Sequence, residues 1–278
     1  MKVSRSEKHP YLAGQNSPRL FAHRGIVSEV AAQQGTLENT SAAFEAALMA
    51  GATAIESDCH LTKDGEVVLI HDADLQRLTG DTDRVNDLTL NDLRTRFQDR
   101  GELLTLNEAF EAFPQVRWNI DVKDPLAAAS AGRIVAPHWR RTLLTSFDDR
   151  IRTKAVDYAT SIEQGTVCKP ATSPGKRGVV RAVASLFSPS RRTQQRALSE
   201  FDALQIPERQ GAVRVFSPRL VRLAHTHGIE VHVWTVNDPA TMRKLIAAGA
   251  DGIVTDRVDV AAQMFHPTNS CSQVRDSS

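Results

Sequence analysis

Short runs rich in apolar and β-branched residues alternate with longer segments whose apolar positions recur every three or four residues, from residue 19 to about 265. The short runs are RLFAHRG (19–25), AIESDCHL (54–61), RWNIDVK (117–123), RTLLTSF (141–147), SIEQGTV (161–167), ALQIPE (203–208), EVHVWTV (230–236) and GIVTD (252–256). Each reads as a strand, which makes eight. The longer segments read as helices. In NTSAAFEAALMAG, Phe44 and Leu48 share one helical face and Gly51 supplies a stop. In PATMRKLIAAG, Pro239 starts a helix and Gly249 ends it. Strand followed by helix, repeated, implies parallel pairing. The pattern predicts an α/β fold, a (β/α)8 TIM barrel, although an open doubly wound sheet of six to eight units gives a similar alternation. The barrel is favoured because the polar residues of interest cluster at the C-terminal ends of several runs, where barrel enzymes carry their chemistry.

Two segments interrupt the rhythm. The stretch from about 73 to 104 is polar and turn-rich and reads as a small insertion after the second strand. The stretch 175–196 carries six basic residues and no acidic one. Its residues Val179, Val183, Leu186 and Phe187 are expected on one helical face, either covering the strands as the fifth barrel helix or, in a protruding part, leaning on an anionic membrane. Residues 1–18 and 266–278 read as loose tails around a single barrel, 19–265.

Composition narrows the classes. Lys plus Arg is 34 against 33 for Asp plus Glu, so the overall balance carries no nucleic-acid signature. Cys59, Cys168 and Cys271 are far apart and form no CxxC pair, which argues against a thiolate zinc site or a disulfide scaffold. The first twenty residues lack the apolar core of a secretory signal, and eighteen apolar residues never run together. The expectation is a soluble, cytoplasmic protein, with 175–196 as the segment for a peripheral membrane contact under the second of those two readings.

Glu56 and Asp58 stand two apart on a strand, so both carboxylates point to one face. Two like charges so close are costly without a cation, and oxygen-only ligands suit the hard cations Mg²⁺ or Ca²⁺. Asp121 and Lys123 share a face of the next strand, and His23, Arg24 and His71 end apolar runs. Two imidazoles can serve as general base and acid, while a divalent cation, an arginine and a lysine can bind and polarise a phosphoryl group. This chemistry points to a phosphate ester.

The wording of AHRG, LENT, GATAIESDCHLTKDGEVVLIHD, VHVWTVN and GADGIVTDRVD, in that order, resembles the glycerophosphodiester phosphodiesterases over roughly 19–260. The resemblance implies a TIM barrel with a small insertion after its second strand. It implies hydrolysis of glycerophosphodiesters to glycerol 3-phosphate and an alcohol with Mg²⁺ or Ca²⁺. It further implies His23 and His71 as the acid/base pair, Glu56 and Asp58 as metal ligands, Arg24 and Lys123 as phosphate contacts, Glu38 as a carboxylate near the mouth and Trp234 as a wall of the site. Asp121 stands where the family usually has glutamate, as a third ligand one methylene shorter. The connection from Gly25 to Glu38 looks long, a loop expected over the site. Rival readings are a lysophospholipase D or sphingomyelinase-D-like activity on lipid phosphodiesters, which needs an apolar channel, and a non-catalytic phosphodiester-binding barrel.

Overall fold

The computed structural model describes residues 8–14 and 17–267. Cys271 and most of the expected C-terminal tail lie outside them. Eight parallel strands surround a central axis: β1 (Arg19–His23), β2 (Ala54–Leu61), β3 (Trp118–Val122), β4 (Thr142–Thr145), β5 (Ala171–Thr172), β6 (Ala203–Pro207), β7 (Glu230–Trp234) and β8 (Gly252–Thr255). Pairing runs β5-β4-β3-β2-β1-β8-β7-β6, so the first and last strands are neighbours and the sheet is nearly closed. At the seam between β5 and β6 single bonds replace a ladder: Asp202 N–H donates to Thr172 O at 2.9 Å and Gln205 N–H to Ser173 Oγ at 3.0 Å. The fold is a TIM barrel.

The connecting helices start and stop where local chemistry directs. Thr40 caps Ser41–Met49 by accepting from Ala43 N–H, and Gly51 adopts the left-handed φ of +98° that turns the chain back toward β2. Asp238 caps Pro239–Ala247 by accepting from Thr241 N–H at 2.7 Å, with proline in the first turn. The inner faces of these helices and the outer faces of the strands form one continuous core, to which Phe44, Trp118 and Phe110 contribute edge-to-face aromatic contacts.

Three expectations are corrected. The run 161–167 is not a barrel strand. Gln164 and Gly165 both have positive φ, 49° and 79°, which folds Ser161–Glu163 back on Thr166–Cys168 as an antiparallel hairpin outside the barrel. The fifth barrel strand is the two-residue Ala171–Thr172, too short to leave a periodic signal. The N-terminal segment is not loose where it is described. Pro10–Leu12 forms a 3₁₀ turn that buries Tyr11 and Leu12 against Phe21, Leu143 and Ala203 inside the barrel. Finally, the segment between Gly25 and Glu38 does not line the cavity described below. It forms the short helix Glu29–Gln33, and Leu37 packs instead against a small cluster built by the stretch after β2, with Ile70, Leu75, Leu93 and Phe97.

Beneath Phe21, Arg19 donates to both oxygens of Glu230, at 2.6 and 2.9 Å, and His232 Nε2 lies 3.2 Å from the same carboxylate. Burial pushes the Glu230 carboxyl up, but the Arg19 and His232 hydrogen bonds outweigh it and hold the pKa below the ordinary value. A depressed folded-state pKa contributes stability that is complete above the unfolded value of about 4.3 and is lost as pH falls toward the folded value. Urea unfolding is therefore expected to show stability falling below about pH 4, with a shallower acid limb in Glu230→Gln. Tyr11→Ala empties the lower end of the barrel and is expected to cost about 3 kcal/mol in the same assay. A midpoint unchanged from wild type would mean that Tyr11 does not close the barrel.

Candidate active site

Strand register puts His23, Glu56, Asp58 and Asp121 level at the C-terminal end of the barrel; Arg24, His71, Lys123 and Trp234 line the same cavity, and Glu38 lies behind Arg24 without lining it. His23 pairs across β1–β2 with Glu56, Glu56 pairs across β2–β3 with Asn119, and Asp58 pairs with Asp121. Period-two alternation sends Glu56 and Asp58 to the inner face, while Cys59 faces the surrounding core. After β1 the chain turns at Arg24, with a left-handed φ of 60°, and at Gly25, where a Cβ would meet the Ala43 carbonyl at 2.7 Å. This turn answers why a glycine follows the basic residue: helix Ser41–Met49 passes too close for any side chain.

The two histidines are held alike. His23 Nδ1 lies 2.6 Å from Asp256 Oδ1, at the end of β8, and Asp256 also accepts from Asn237 at 2.7 Å. His71 follows the antiparallel strand Val67–Leu69, and its Nδ1 lies 2.7 Å from Asp72 Oδ1. Its carbonyl oxygen is bound by His60 Nε2 at 3.0 Å, which anchors the backbone beneath the ring. A carboxylate on each Nδ1 fixes the ring orientation and leaves Nε2 as the nitrogen for chemistry. Both rings line the same cavity, and His23 Nε2 is 3.9 Å from Glu56 Oε2. Burial alone would lower the His23 pKa; the Asp256 hydrogen bond and the Glu56 charge outweigh it and raise it.

Three buried carboxylates form the floor. Lys123 Nζ sits between Asp58 Oδ1 at 2.9 Å and Asp121 Oδ2 at 2.6 Å. Arg24 reaches Asp58 at 3.2 Å and Glu38 at 2.9 Å, and Arg77 joins Glu38 to Asp72. Arg24 and Arg77 are thus tied with Glu38 and Asp72 into one network running from His71 to Asp58. Burial drives Glu56 upward, and the neighbouring Asp58 charge adds to it. Burial raises Asp121 as well. Asp58 goes the other way, because Lys123, His71 and Arg24 outweigh its burial. Lys123 is raised, its burial overcome by the Asp121 and Asp58 charges.

Among the described residues no group of three His, Cys, Asp or Glu side chains stands arranged as a ready metal cage, since Lys123 and Arg24 occupy part of the carboxylate surface. The donor set nonetheless fits a hard cation. Glu56 Oε2, Asn119 Oδ1 and Asp121 Oδ1 are buried acceptors without a hydrogen-bond partner, all on residues that line the cavity. Unpaired buried oxygens are costly, and oxygen is the donor that Mg²⁺ and Ca²⁺ select.

The cavity encloses about 890 Å³. Trp234, at the end of β7, and Phe147, after β4, meet edge to face at 5.5 Å as one wall, and Lys123 Nζ lies 4.8 Å from the Phe147 ring centre. Asp72, Asp256, Arg77 and Phe147 were not singled out in the sequence. Asp72 directly follows His71, and Asp256 ends the last strand, so strand-end position was a usable signal for both; for Arg77 and Phe147 there was none.

A profile of the glycerophosphoryl diester phosphodiesterase family matches residues 23–260. Over 243 residues the chain is 32% identical to a probable glycerophosphodiester phosphodiesterase 2 of Mycobacterium tuberculosis, covering 86% of this chain and 88% of that protein. It is 39% identical over 130 residues to the lysophospholipase D GDPD1 of Rattus norvegicus, a match that spans 42% of this chain and 41% of the rat protein. The crystal structure of a glycerophosphodiester phosphodiesterase from Thermotoga maritima superposes with a TM-score of 0.67 at 27% identity, covering 90% of this chain and all of that one. The matched span runs from the first catalytic-end histidine into the helix after β8, and on that ground the chain belongs to the glycerophosphoryl diester phosphodiesterase family and is a phosphodiesterase.

Proposed function

We propose that this enzyme cleaves glycerophosphodiesters to glycerol 3-phosphate and an alcohol by acid/base catalysis between His23 and His71. The observation that carries the reading is the matched pair of imidazoles, each held through Nδ1 by an aspartate and each lining the cavity beside the carboxylate floor. One Nε2 takes the proton of the attacking hydroxyl as the new P–O bond forms. The other gives a proton to the departing alkoxide oxygen as the old P–O bond breaks. Arg24 and Lys123 orient the anionic phosphoryl group. Glu56, Asp58 and Asp121 would hold Mg²⁺ or Ca²⁺, which when bound offsets negative charge on the phosphoryl oxygens.

A second reading, lysophospholipase D activity, is favoured by the outer half of the cavity. Val180 and Phe187 of one wall and Val213 of the opposite wall line it, and they are 67%, 77% and 65% exposed. A glycerophosphoryl group with a small polar alcohol has no use for that surface, whereas a single acyl chain covers it.

His23→Ala and His71→Ala are each expected to lower kcat by about 10²- to 10⁴-fold with the circular-dichroism spectrum unchanged. Asp256→Asn, which keeps the volume but weakens the hold on His23, is expected to cost about tenfold or more in kcat. Wild-type turnover in purified His71→Ala would remove the acid/base assignment. A chelator is expected to abolish hydrolysis and added Mg²⁺ or Ca²⁺ to restore it, while Asp121→Asn weakens the metal titration measured by calorimetry. On monoacyl glycerophosphodiesters of increasing chain length, KM is expected to fall by about two- to fourfold per methylene until the wall is covered. A KM independent of chain length would leave only water-soluble diesters as substrates.

A further inference from the structure

Helix Lys176–Ser185 and the turn after it carry two apolar faces rather than one. Val179, Val183 and Leu186 are half-buried against the barrel, as the periodicity predicts. Phe187 departs from that face and continues a second stripe, Val180, Ala184 and Phe187, spaced four and three residues apart and exposed. Across the cavity mouth stands the antiparallel pair Arg209–Gln210 and Val213–Arg214, which lifts the exposed Val213 to its tip. Arg219, on helix Pro218–Thr226, donates to Leu186 O at 2.6 Å with its guanidinium 5.7 Å from the Phe187 ring. A contiguous apolar rim of this kind, around an opening, marks an interaction surface.

The charge of the segment that forms one side of the rim is of one sign. The stretch 175–196 holds six cations and no acid within a chain whose net charge is only +1. Arg177, Arg181, Arg191, Arg192 and Arg196 form no ion pair with any described residue. Several carboxylates around this stretch are occupied elsewhere: Asp149 accepts from the backbone N–H of Gly175, Arg177 and Gly178, Asp202 accepts from Thr172 N–H, Glu200 faces Arg152, and Glu208 faces Lys244. No helix among the described residues is long and apolar enough to cross a membrane.

We infer that this rim docks on the surface of an anionic phospholipid bilayer, with Val180, Phe187 and Val213 entering the headgroup region and the unpaired arginines meeting lipid phosphates. Charge complementarity selects this occupant, because basic side chains gain affinity near an anionic leaflet while apolar ones gain it in any bilayer. The rim stands on two sides of the cavity mouth, so docking faces the mouth toward molecules held in the bilayer. The inference goes beyond the hydrolysis reading, and binding can be measured without turnover.

Sedimentation with large unilamellar vesicles tests it, comparing phosphatidylcholine alone with phosphatidylcholine containing phosphatidylglycerol, at low and at physiological salt, in the presence of chelator. The expected result is pelleting with anionic vesicles, less at higher salt and little with neutral ones. Arg177→Gln/Arg191→Gln/Arg192→Gln/Arg196→Gln is expected to reduce the partition onto anionic vesicles roughly tenfold or more. It leaves turnover of soluble glycerophosphocholine as in wild type, which also shows that the variant is folded. Val213→Ser is expected to weaken binding to anionic vesicles by several-fold without changing its salt dependence. Equal recovery in the supernatant with both vesicle types overturns the inference, as does undiminished pelleting of the four-arginine variant. A concentration-dependent dimer that buries the rim would assign it to a second copy of the chain instead.

Discussion

Three carboxylates, Glu56, Asp58 and Asp121, are buried side by side at the mouth of the barrel, and the rest of the site is organised around the cost of putting them there. Like charges this close in a weakly polar surrounding repel strongly, and burial opposes their ionisation as well. The protein offsets this with Lys123 between two of them and Arg24 against Asp58. The compensation is incomplete. Glu56 stays driven toward its protonated form, and oxygens of Glu56, Asn119 and Asp121 keep no partner. Residual negative potential with unpaired oxygen donors is the condition under which a hard divalent cation gains most.

The same constraint explains the positions of the other polar groups. Arg24 can reach Asp58 only because the turn after β1 takes a left-handed residue followed by glycine. Glu38 then shares Arg24 with Arg77, and Arg77 in turn grips Asp72, which holds His71. The segment after β2, built around its own small apolar cluster, therefore has a structural tie to the His71 imidazole through one arginine. On the opposite side Asp256 and Asn237 hold His23 from the ends of the last two units. Residues far apart in sequence are brought into one ring of alternating charge by barrel closure between β8 and β1.

Above this polar floor the cavity changes character. Trp234 and Phe147 form a collar, and beyond it the walls become apolar and outward-facing. A barrel enzyme acting on a small hydrophilic diester is served by the floor alone. The second stripe on helix Lys176–Ser185 and the raised Arg209–Arg214 turn stand exposed, while the opposite face of that helix covers the strands. Leaving large apolar side chains in water is unfavourable, and the segment that carries Val180 and Phe187 also carries the unpaired arginines.

Much of this was legible along the chain. Strand and helix alternation determined a parallel α/β fold, because parallel pairing needs a crossover and each crossover leaves a helical period behind it, and the strand-end positions of the polar residues favoured the closed barrel over an open sheet. Period two alone determined that Glu56 and Asp58 share a face, and the strand-end positions of His23, Arg24, His71 and Lys123 pointed to one site. The fifth strand was misplaced because a two-residue strand carries no period, while a hairpin with a Gln-Gly turn imitates one. Tyr11 was read as tail because a lone aromatic has no periodic context, and only closure of the barrel gives it a hole to fill. Register, which no local pattern encodes, decided that Lys123 lies between Asp58 and Asp121 and that Asp256 reaches His23 across 233 positions of sequence. The sequence could determine which groups were available and which face of each element they took; their partners were decided by the closed tertiary structure, because ion pairing depends on separation in space and not along the chain.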